Sequence, residues 1–502
     1  MEKKPVNHII IVGGGTAGWM TAASLSRHFR RTSIAITLIE SSEIGTVGVG
    51  EATIPTLRRF YGELGMNDLE VMRATRATCK LGIQFRDWRH AGSRFIHPFG
   101  LFGQSANGIP FHHYWMKLRH QGADAGELPE YSLGVQLAEH HKFVEPSPNP
   151  PSELSVFDWA LHFDAAKFAE LMRSHAEKHG VTRIDARITS VRQNADDSIA
   201  SLHLDNGREI SGDLFIDCSG FRALLIEQTL HTGYEDWSEW LLCDSAVAVQ
   251  SELVGDPPPY TISQAHGAGW QWRIPLQHRQ GNGHVYCSRY ISEDEAIAIL
   301  KKNIDGQLLH EPRKFNFTPG RRRQAWNKNC IAVGLASGFL EPLESTSIAL
   351  VETAIEKIRH SFLRPYFTQA EVDQFNELTA QEYDRVRDFI ILHYALNQRI
   401  GEPFWDECRA VVIPQTLQKK VEAFTSKGDL IRYPIEIFGA PSWLAIYHGF
   451  GVLPQTYDLR VEQLNEDYLK QSLAEMRKSI RHAVDSVMTH QEFIKTHCAV
   501  SQ

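Results

Sequence analysis

The sequence predicts an α/β fold in three parts: a Rossmann-like dinucleotide-binding domain, an antiparallel sheet and a mostly helical C-terminal cap. Three observations carry this. The β-branched run His8 to Val12 leads through Gly13, Gly14, Gly15, Thr16, Ala17 and Gly18 into an Ala-rich helical stretch ending near Phe29. Strand-like alternation holds from Ser245 to Arg289. Beyond Pro365 helical periodicity dominates.

In the first part, Gly13, Gly15 and Gly18 satisfy GxGxxG. The first glycine permits the tight turn, the second lets the backbone approach a pyrophosphate, and the third lets helix and strand pack closely. The phosphates then meet the free amides of a helix N-terminus. A second strand, Ile34 to Ile39, ends in Glu40, about 20 residues beyond the last glycine and suited to accept the hydroxyls of an adenosine ribose. This pattern does not separate FAD from NAD. Strands at Arg187 to Val191, Ala200 to Leu204 and Asp213 to Gly220 are expected to complete the sheet, the last bringing Ser219 and Gly220 near the nucleotide.

In the second part, Trp270, Trp272 and Ile274 alternate onto one strand face just before Pro275. Asn329 to Gly334 reads as another buried strand, and Gly338 to Ser347 as a turn-rich loop. Ile348, Val351, Ile355 and Ile358 recur at helical spacing, so a helix starts around Ser347 with its free amides facing that loop. In the third part, helices are expected at Gln369 to Asn397, Pro414 to Thr425 and Leu464 to Met488, interrupted by an aromatic segment from Tyr433 to Leu453. The resulting division is a discontinuous dinucleotide-binding module over 1–364, with an inserted substrate-side sheet at about 80–180 and 240–325, and a helical substrate cap over 365–502.

Composition narrows the function. With 42% hydrophobic and 22% charged residues the chain is ordinary globular protein. Its 52 basic against 60 acidic residues give a net charge of -8 without a long single-sign run, which disfavours nucleic acid and anionic membranes as partners. Small molecules fit better. Seven scattered cysteines, never spaced CxxC, argue against a disulfide framework and against a metal site, and place the chain in a reducing, cytoplasmic compartment. No apolar stretch approaches the ~20 residues that cross a bilayer. The apolar start from Ile9 imitates a signal peptide, but its glycines have a use of their own.

Four segments resemble the flavin-dependent halogenases of the tryptophan-halogenase family: GGGTAGW with Trp19, GVGEATIP at 48–55, WxWxIP at Trp270 to Pro275, and FLEPLEST at Phe339 to Thr346. The resemblance implies a flavin monooxygenase type FAD domain. It implies FAD used in reduced form, oxygen, and a halide converted to hypohalous acid that halogenates an electron-rich arene. It adds Leu335 and Ile348 to the FAD-binding glycines, Thr16, Ala17 and Glu40. The halide seat falls on the backbone amides of Thr346 and Ser347, at a helix N-terminus that suits an anion. Phe339, Pro342 and Ser345 match the family's FxxPxxSxG, whereas Ser347 replaces its glycine, so bromide is expected ahead of chloride. Trp270, Trp272, Ile274 and Pro275 are implied to wall the substrate off from the flavin, although alternating Trp and Ile alone describe a core face. The family's lysine and glutamate correspond to Lys80 and Glu344. Lysine suits the transfer step either as an ammonium that hydrogen-bonds hypohalous acid or as a neutral amine that forms an N-haloamine. A carboxylate can orient that electrophile, stabilise the cationic intermediate or take the departing proton. By residue type alone, Lys80 would be a solvated surface residue.

For the arene, His97 and Phe99 match positions that flank the indole in tryptophan-specific members, and Phe404, Trp405 and Trp443 supply further aromatic surface. The amino-acid clamp of the free-tryptophan enzymes has no counterpart around Arg432 and Tyr433, which raises indole or a simple indole derivative above tryptophan. A second dinucleotide fingerprint is lacking, so a separate flavin reductase is expected to deliver FADH2. The resemblance implies a homodimer. The alternatives are a single-component flavin-dependent aromatic hydroxylase and a catalytically inactive flavin-binding protein.

Overall fold

Three consecutive isoleucines with no exposed surface, Ile9, Ile10 and Ile11, make His8–Val12 a strand buried on both faces, as a central parallel strand requires. The computed structural model describes residues 4–43 and 50–498; Gly48 and Val49 of the GVGEATIP stretch lie outside them. The chain forms two units, each of three segments: 1–76, 163–239 and 315–384 in the first, and 77–162, 240–314 and 385–502 in the second.

The first unit is built on a six-stranded sheet in the order Trp326–Asn327, Cys330–Ala332, Leu214–Asp217, His8–Val12, Ala35–Glu40, Thr182–Asp185. All of its pairings are parallel except the one at the Trp326–Asn327 edge. Helix Thr16–His28 packs against helices Ala165–Lys178 and Ser347–Ser361. The predicted strand pair near 187–204 does not join this sheet. Ile188–Gln193, Ile199–Leu204 and Glu209–Ser211 form a separate antiparallel sheet of three. Short links such as the Asp205 to Gly207 turn permit only antiparallel pairing, because parallel neighbours need a crossover of a dozen residues or more. Only Leu214–Asp217 enters the main sheet, paired with His8–Val12.

In the second unit the expected antiparallel strands are Ser245–Ser251, Thr261–His266, Gly269–Pro275 and Gln280–Tyr286. Gly82–Arg86 extends them by a parallel pairing with Thr261–His266, and Arg94–Pro98 pairs antiparallel beyond it. Strand Thr78–Lys80 belongs to another sheet, antiparallel to Ala160–Asp164. Helices Gln415–Lys427 and Glu466–Asp485 lie where periodicity puts them, and Gln369–Ala395 runs from the first unit into the second. Two more, Pro403–Ala410 and Ala440–Gly449, lie outside the helices expected from periodicity, the second within the aromatic segment from Tyr433 to Leu453. All seven cysteines are buried and none is in a disulfide, and no described helix is long and apolar enough to cross a membrane.

Candidate active site

The glycine turn ends at Gly15, whose extended backbone caps helix Thr16–His28 without any side-chain hydrogen bond. The first amides of that helix are therefore left for a ligand. Each glycine meets a different neighbour. A Cβ on Gly13, whose φ is +111°, would lie 2.3 Å from the Cys218 carbonyl oxygen, and one on Gly18 would lie 1.8 Å from the Gly13 carbonyl oxygen. Gly14 is covered by the Glu40 carboxylate. At Gly15 a Cβ would meet nothing within 4 Å, the open space a pyrophosphate needs above a helix N-terminus.

Glu40 ends its strand with Oε1 accepting from Arg183 Nε at 2.5 Å, while Arg183 Nη2 donates to Asp185 at 2.9 Å. Arg183, 143 residues away, carries no local signal that marks it as the partner. The ion pair holds the carboxylate in place and leaves Oε2 over Gly14. Cys218 leads to Ser219 and Gly220, where Asp217 accepts from the amides of Ser219, Leu225 and Ile226 and fixes the loop. Gly334 opens a 3-10 turn containing Leu335; a Cβ there would touch Ala17 at 3.0 Å and Val351 at 3.4 Å. The turn, Ala17 and the helix bearing Ile348 are thus in contact, and this arrangement fits a dinucleotide.

Pro342–Glu344 is a 3-10 turn, followed by Ser345 in the left-handed region at φ +58° and by helix Ser347–Ser361. Thr346 has no exposed surface, and its Oγ1 has no hydrogen-bond partner among the described residues. No side chain caps this helix, so a buried hydroxyl and free amides converge on one place. That combination fits a halide. Glu344 is 1% exposed on the preceding turn.

In the second unit Lys80 is 0% exposed, against its reading as a surface residue by type. It ends strand Thr78–Lys80 opposite Ala160, and its Nζ lies 5.3 Å from the centre of the Phe99 ring. The Phe99 backbone is tied at both ends: its N–H donates to Leu81 O at 3.1 Å and its carbonyl accepts from Asp158 N at 2.6 Å. Two neutral histidines hold the lysine strand. The Thr78 hydroxyl donates to Pro275 O at 2.7 Å, so it accepts from His162 Nδ1–H at 3.0 Å, and His162 Nε2 accepts from Thr261 at 2.9 Å. Burial, then the charge of Lys80, pushes His162 well below the usual imidazole range. Next to Lys80, the Cys79 N–H donates to His490 Nε2 at 3.0 Å, and His490 Nδ1–H donates to Pro257 O at 2.8 Å. Burial brings His490 down to about 4, so both bonds persist at neutral pH.

The predicted aromatic residues fall in two groups joined through His393, which lies 6.2 Å from Trp88 and 5.2 Å from Phe389. Trp270 stands 6.1 Å from Trp88, which is 5.3 Å from Trp405; Trp405 stacks on Tyr394, and Phe404 lies 5.8 Å from Tyr290. Trp272 lies flat on Gly283, where a Cβ would collide with its ring at 1.9 Å. Ile274 and Pro275 complete this buried strand. The second cluster joins His97 to Phe389 and Phe438, at 5.7 and 6.1 Å, and Phe389 to Trp443 at 5.0 Å. His97 and Trp443 are therefore brought together, whereas Phe404 and Trp405 belong to the other cluster. Phe389 and Phe438 carry no local signal that marks them as more than core. Lys80 and Glu344 belong to different units.

The family model described as tryptophan halogenase matches residues 8–466. Tryptophan 6-halogenase ThaL of Streptomyces albogriseolus is 35% identical, with 90% of each chain covered. Among solved structures, BrvH, a flavin-dependent halogenase from Brevundimonas sp. BAL3, superposes with a TM-score of 0.95 at 55% identity, covering 98% of this chain and 99% of its own. A flavin-dependent halogenase from Xanthomonas campestris gives a TM-score of 0.95 at 42% identity, covering 99% of both chains. A match spanning most of both units, with the glycine turn, the uncapped helix and the buried lysine in place, means that the chain belongs to the tryptophan halogenase family.

Proposed function

We propose that this enzyme is a two-component flavin-dependent halogenase acting on indole or a simple indole derivative, with bromide used ahead of chloride and reduced FAD delivered by a separate flavin reductase. The single observation that carries the transfer step is the fully buried Lys80 beside the Phe99 ring, on a strand pinned by two neutral histidines. Reduced FAD, when bound with oxygen, supplies the oxidising power that turns halide into hypohalous acid.

The protein's residues do the rest. The uncapped amides at Gly15 to Ala17 and the Glu40 carboxylate held by Arg183 seat the cofactor. Thr346 and Ser347 hold the halide, and the Ser347 side chain in place of glycine favours the larger ion. Trp270, Trp272, Ile274 and Pro275 form the wall. Away from water, the Lys80 ammonium hydrogen-bonds the electrophile and polarises it toward the ring. Glu344 takes the proton that leaves the halogenated carbon.

Mass spectrometry of indole and, separately, tryptophan after incubation with the enzyme, FAD, a flavin reductase, NADH and bromide or chloride tests this. The expected product is bromoindole, shown by its isotope doublet and absent with Lys80→Ala. A gain of one oxygen would identify a hydroxylase instead, and halogenation that survives Lys80→Ala would remove the lysine from the reaction. Glu344→Gln should slow halogen transfer more than flavin oxidation.

A further inference from the structure

The aromatic cluster that begins at His97 ends in a buried ion pair. Lys420, on helix Gln415–Lys427, lies 2.8 Å from Glu436 Oε1, with side chains only 2% and 3% exposed. The Lys420 ammonium also donates to the Ile431 carbonyl and lies 4.2 Å from the Trp443 ring and 4.8 Å from the Tyr433 ring. Arg385 and Asp388 act on it with opposite signs. Beside this pair are polar groups with nothing to bond: Trp443 Nε1, the Tyr447 hydroxyl and Glu436 Oε2 have no hydrogen-bond partner among the described residues. Burial and the Glu436 charge both push the Tyr447 phenol up, so it stays a donor. Trp443 and Tyr447 are four residues apart on helix Ala440–Gly449, the helix that packs on the His97 strand.

We infer that Lys420, Glu436, Trp443 and Tyr447 form a charge-neutral subsite that selects indoles whose substituent is uncharged: indole itself, or one bearing an alcohol or amide. The inference rests on the halogenase reading, because it takes the strip from Lys80 through Phe99, His97 and Phe389 to Trp443 as the place where the arene lies. An ammonium placed against Glu436 must displace Lys420, and a carboxylate placed against Lys420 must displace Glu436. Either exchange strands a buried charge. A neutral hydroxyl or amide meets the Trp443 N–H and Tyr447 O–H while the ion pair stays closed. A zwitterionic amino acid has to open the pair and replace both partners at once.

Competition assays on the full chain with reductase, FAD and bromide, using equimolar indole, tryptophol, tryptamine and indole-3-acetate, test this. The wild type should favour indole and tryptophol over both charged substrates by about tenfold or more. Glu436→Gln leaves Lys420 uncompensated and should shift the product ratio toward indole-3-acetate. Lys420→Met leaves Glu436 and should shift it toward tryptamine. The double variant should restore the neutral preference, and it decides the matter if either single variant fails to fold. Ratios that stay constant across the variants, or that move the same way in both single variants, overturn the inference. Should the wild type halogenate none of the four, the halogenase reading is at fault, and calorimetric titration of the same ligands into the same variants tests the subsite by itself.

Discussion

A buried ammonium is an unfavourable way to fill a core. Lys80 has no exposed surface, and the desolvation of its charge opposes folding. Methionine has a similar length and keeps the apolar stem, so Lys80→Met is expected to fold and to retain a cooperative thermal transition. Halogenation by the same variant should fall at least about 100-fold if the ammonium acts on the electrophile, while FAD binding stays unchanged. Thermal melts, FAD titration and product assays on one preparation check all three. A variant that loses its melting temperature along with its activity would make Lys80 a structural residue. The sequence assigned Lys80 only through the family resemblance. The strand that carries it is held by Pro275 and by His490, itself held by Pro257, all far away along the chain. The Glu40–Arg183 and Lys420–Glu436 pairs were equally hidden, since no local pattern announces a partner 143 or 16 residues away.

At the scale of elements, the glycine turn was readable because every constraint on it is local: strand, turn, helix and acid follow one another within 40 residues. Its glycines differ in a way the motif does not show. Gly15 has ordinary extended backbone and empty space where a Cβ would go, so Gly15→Ala should fold normally and lose FAD affinity by about 1–3 kcal/mol, roughly 5- to 150-fold, as the methyl meets the pyrophosphate. Gly14→Ala puts its methyl 1.4 Å from Glu40 Oε2, which breaks the Arg183 pairing and should lower the melting temperature even without cofactor. Equal melting of the two variants would contradict this distinction. The Ala440–Gly449 helix escaped sequence reading for the opposite reason. Gly439 and Pro441 imitate a turn, and Trp443 to Tyr447 are all buried, so no apolar stripe marks a helical period. The strands near 187–204 were recognised as strands, but the first of them, Ile188–Gln193, has no buried residue, which suits a hairpin rather than a buried parallel sheet.

Across the whole molecule, the two units carry titrating groups of opposite effect. In the second unit burial pushes His112, His284, His448 and His490 down to about 4, and His162 well below its usual value. Above pH 6.5 these rings are neutral whether the chain is folded or not, and they leave stability unchanged. As pH falls from 6.5 toward 4 the unfolded chain takes up protons that the folded unit refuses, so stability is lost through that window. In the first unit, burial raises Glu51 to about 7 and Glu352 to about 8. Their folded-state pKa values exceed the unfolded ones, so their stabilising effect is full below pH 4.5 and is lost as pH rises toward 8. They oppose His28 and His175, the histidines of that unit pushed downward. Lowering pH from 7 to 5 should therefore loosen the second unit while leaving the first nearly unchanged. Hydrogen exchange at the two pH values, corrected for intrinsic rates, reads this directly. Amides of Gly269–Pro275 and Gln280–Tyr286 should lose protection at pH 5, while those of His8–Val12 and Ser347–Ser361 keep theirs. The Cys79 amide should follow the second unit; toward pH 4, where its acceptor His490 takes up a proton and becomes a donor, the lysine strand loosens further, and halogenation should fall before FAD is released. Equal loss of protection in both units, or cofactor release before the loss of halogenation, would show that the histidines do not set the acid limit.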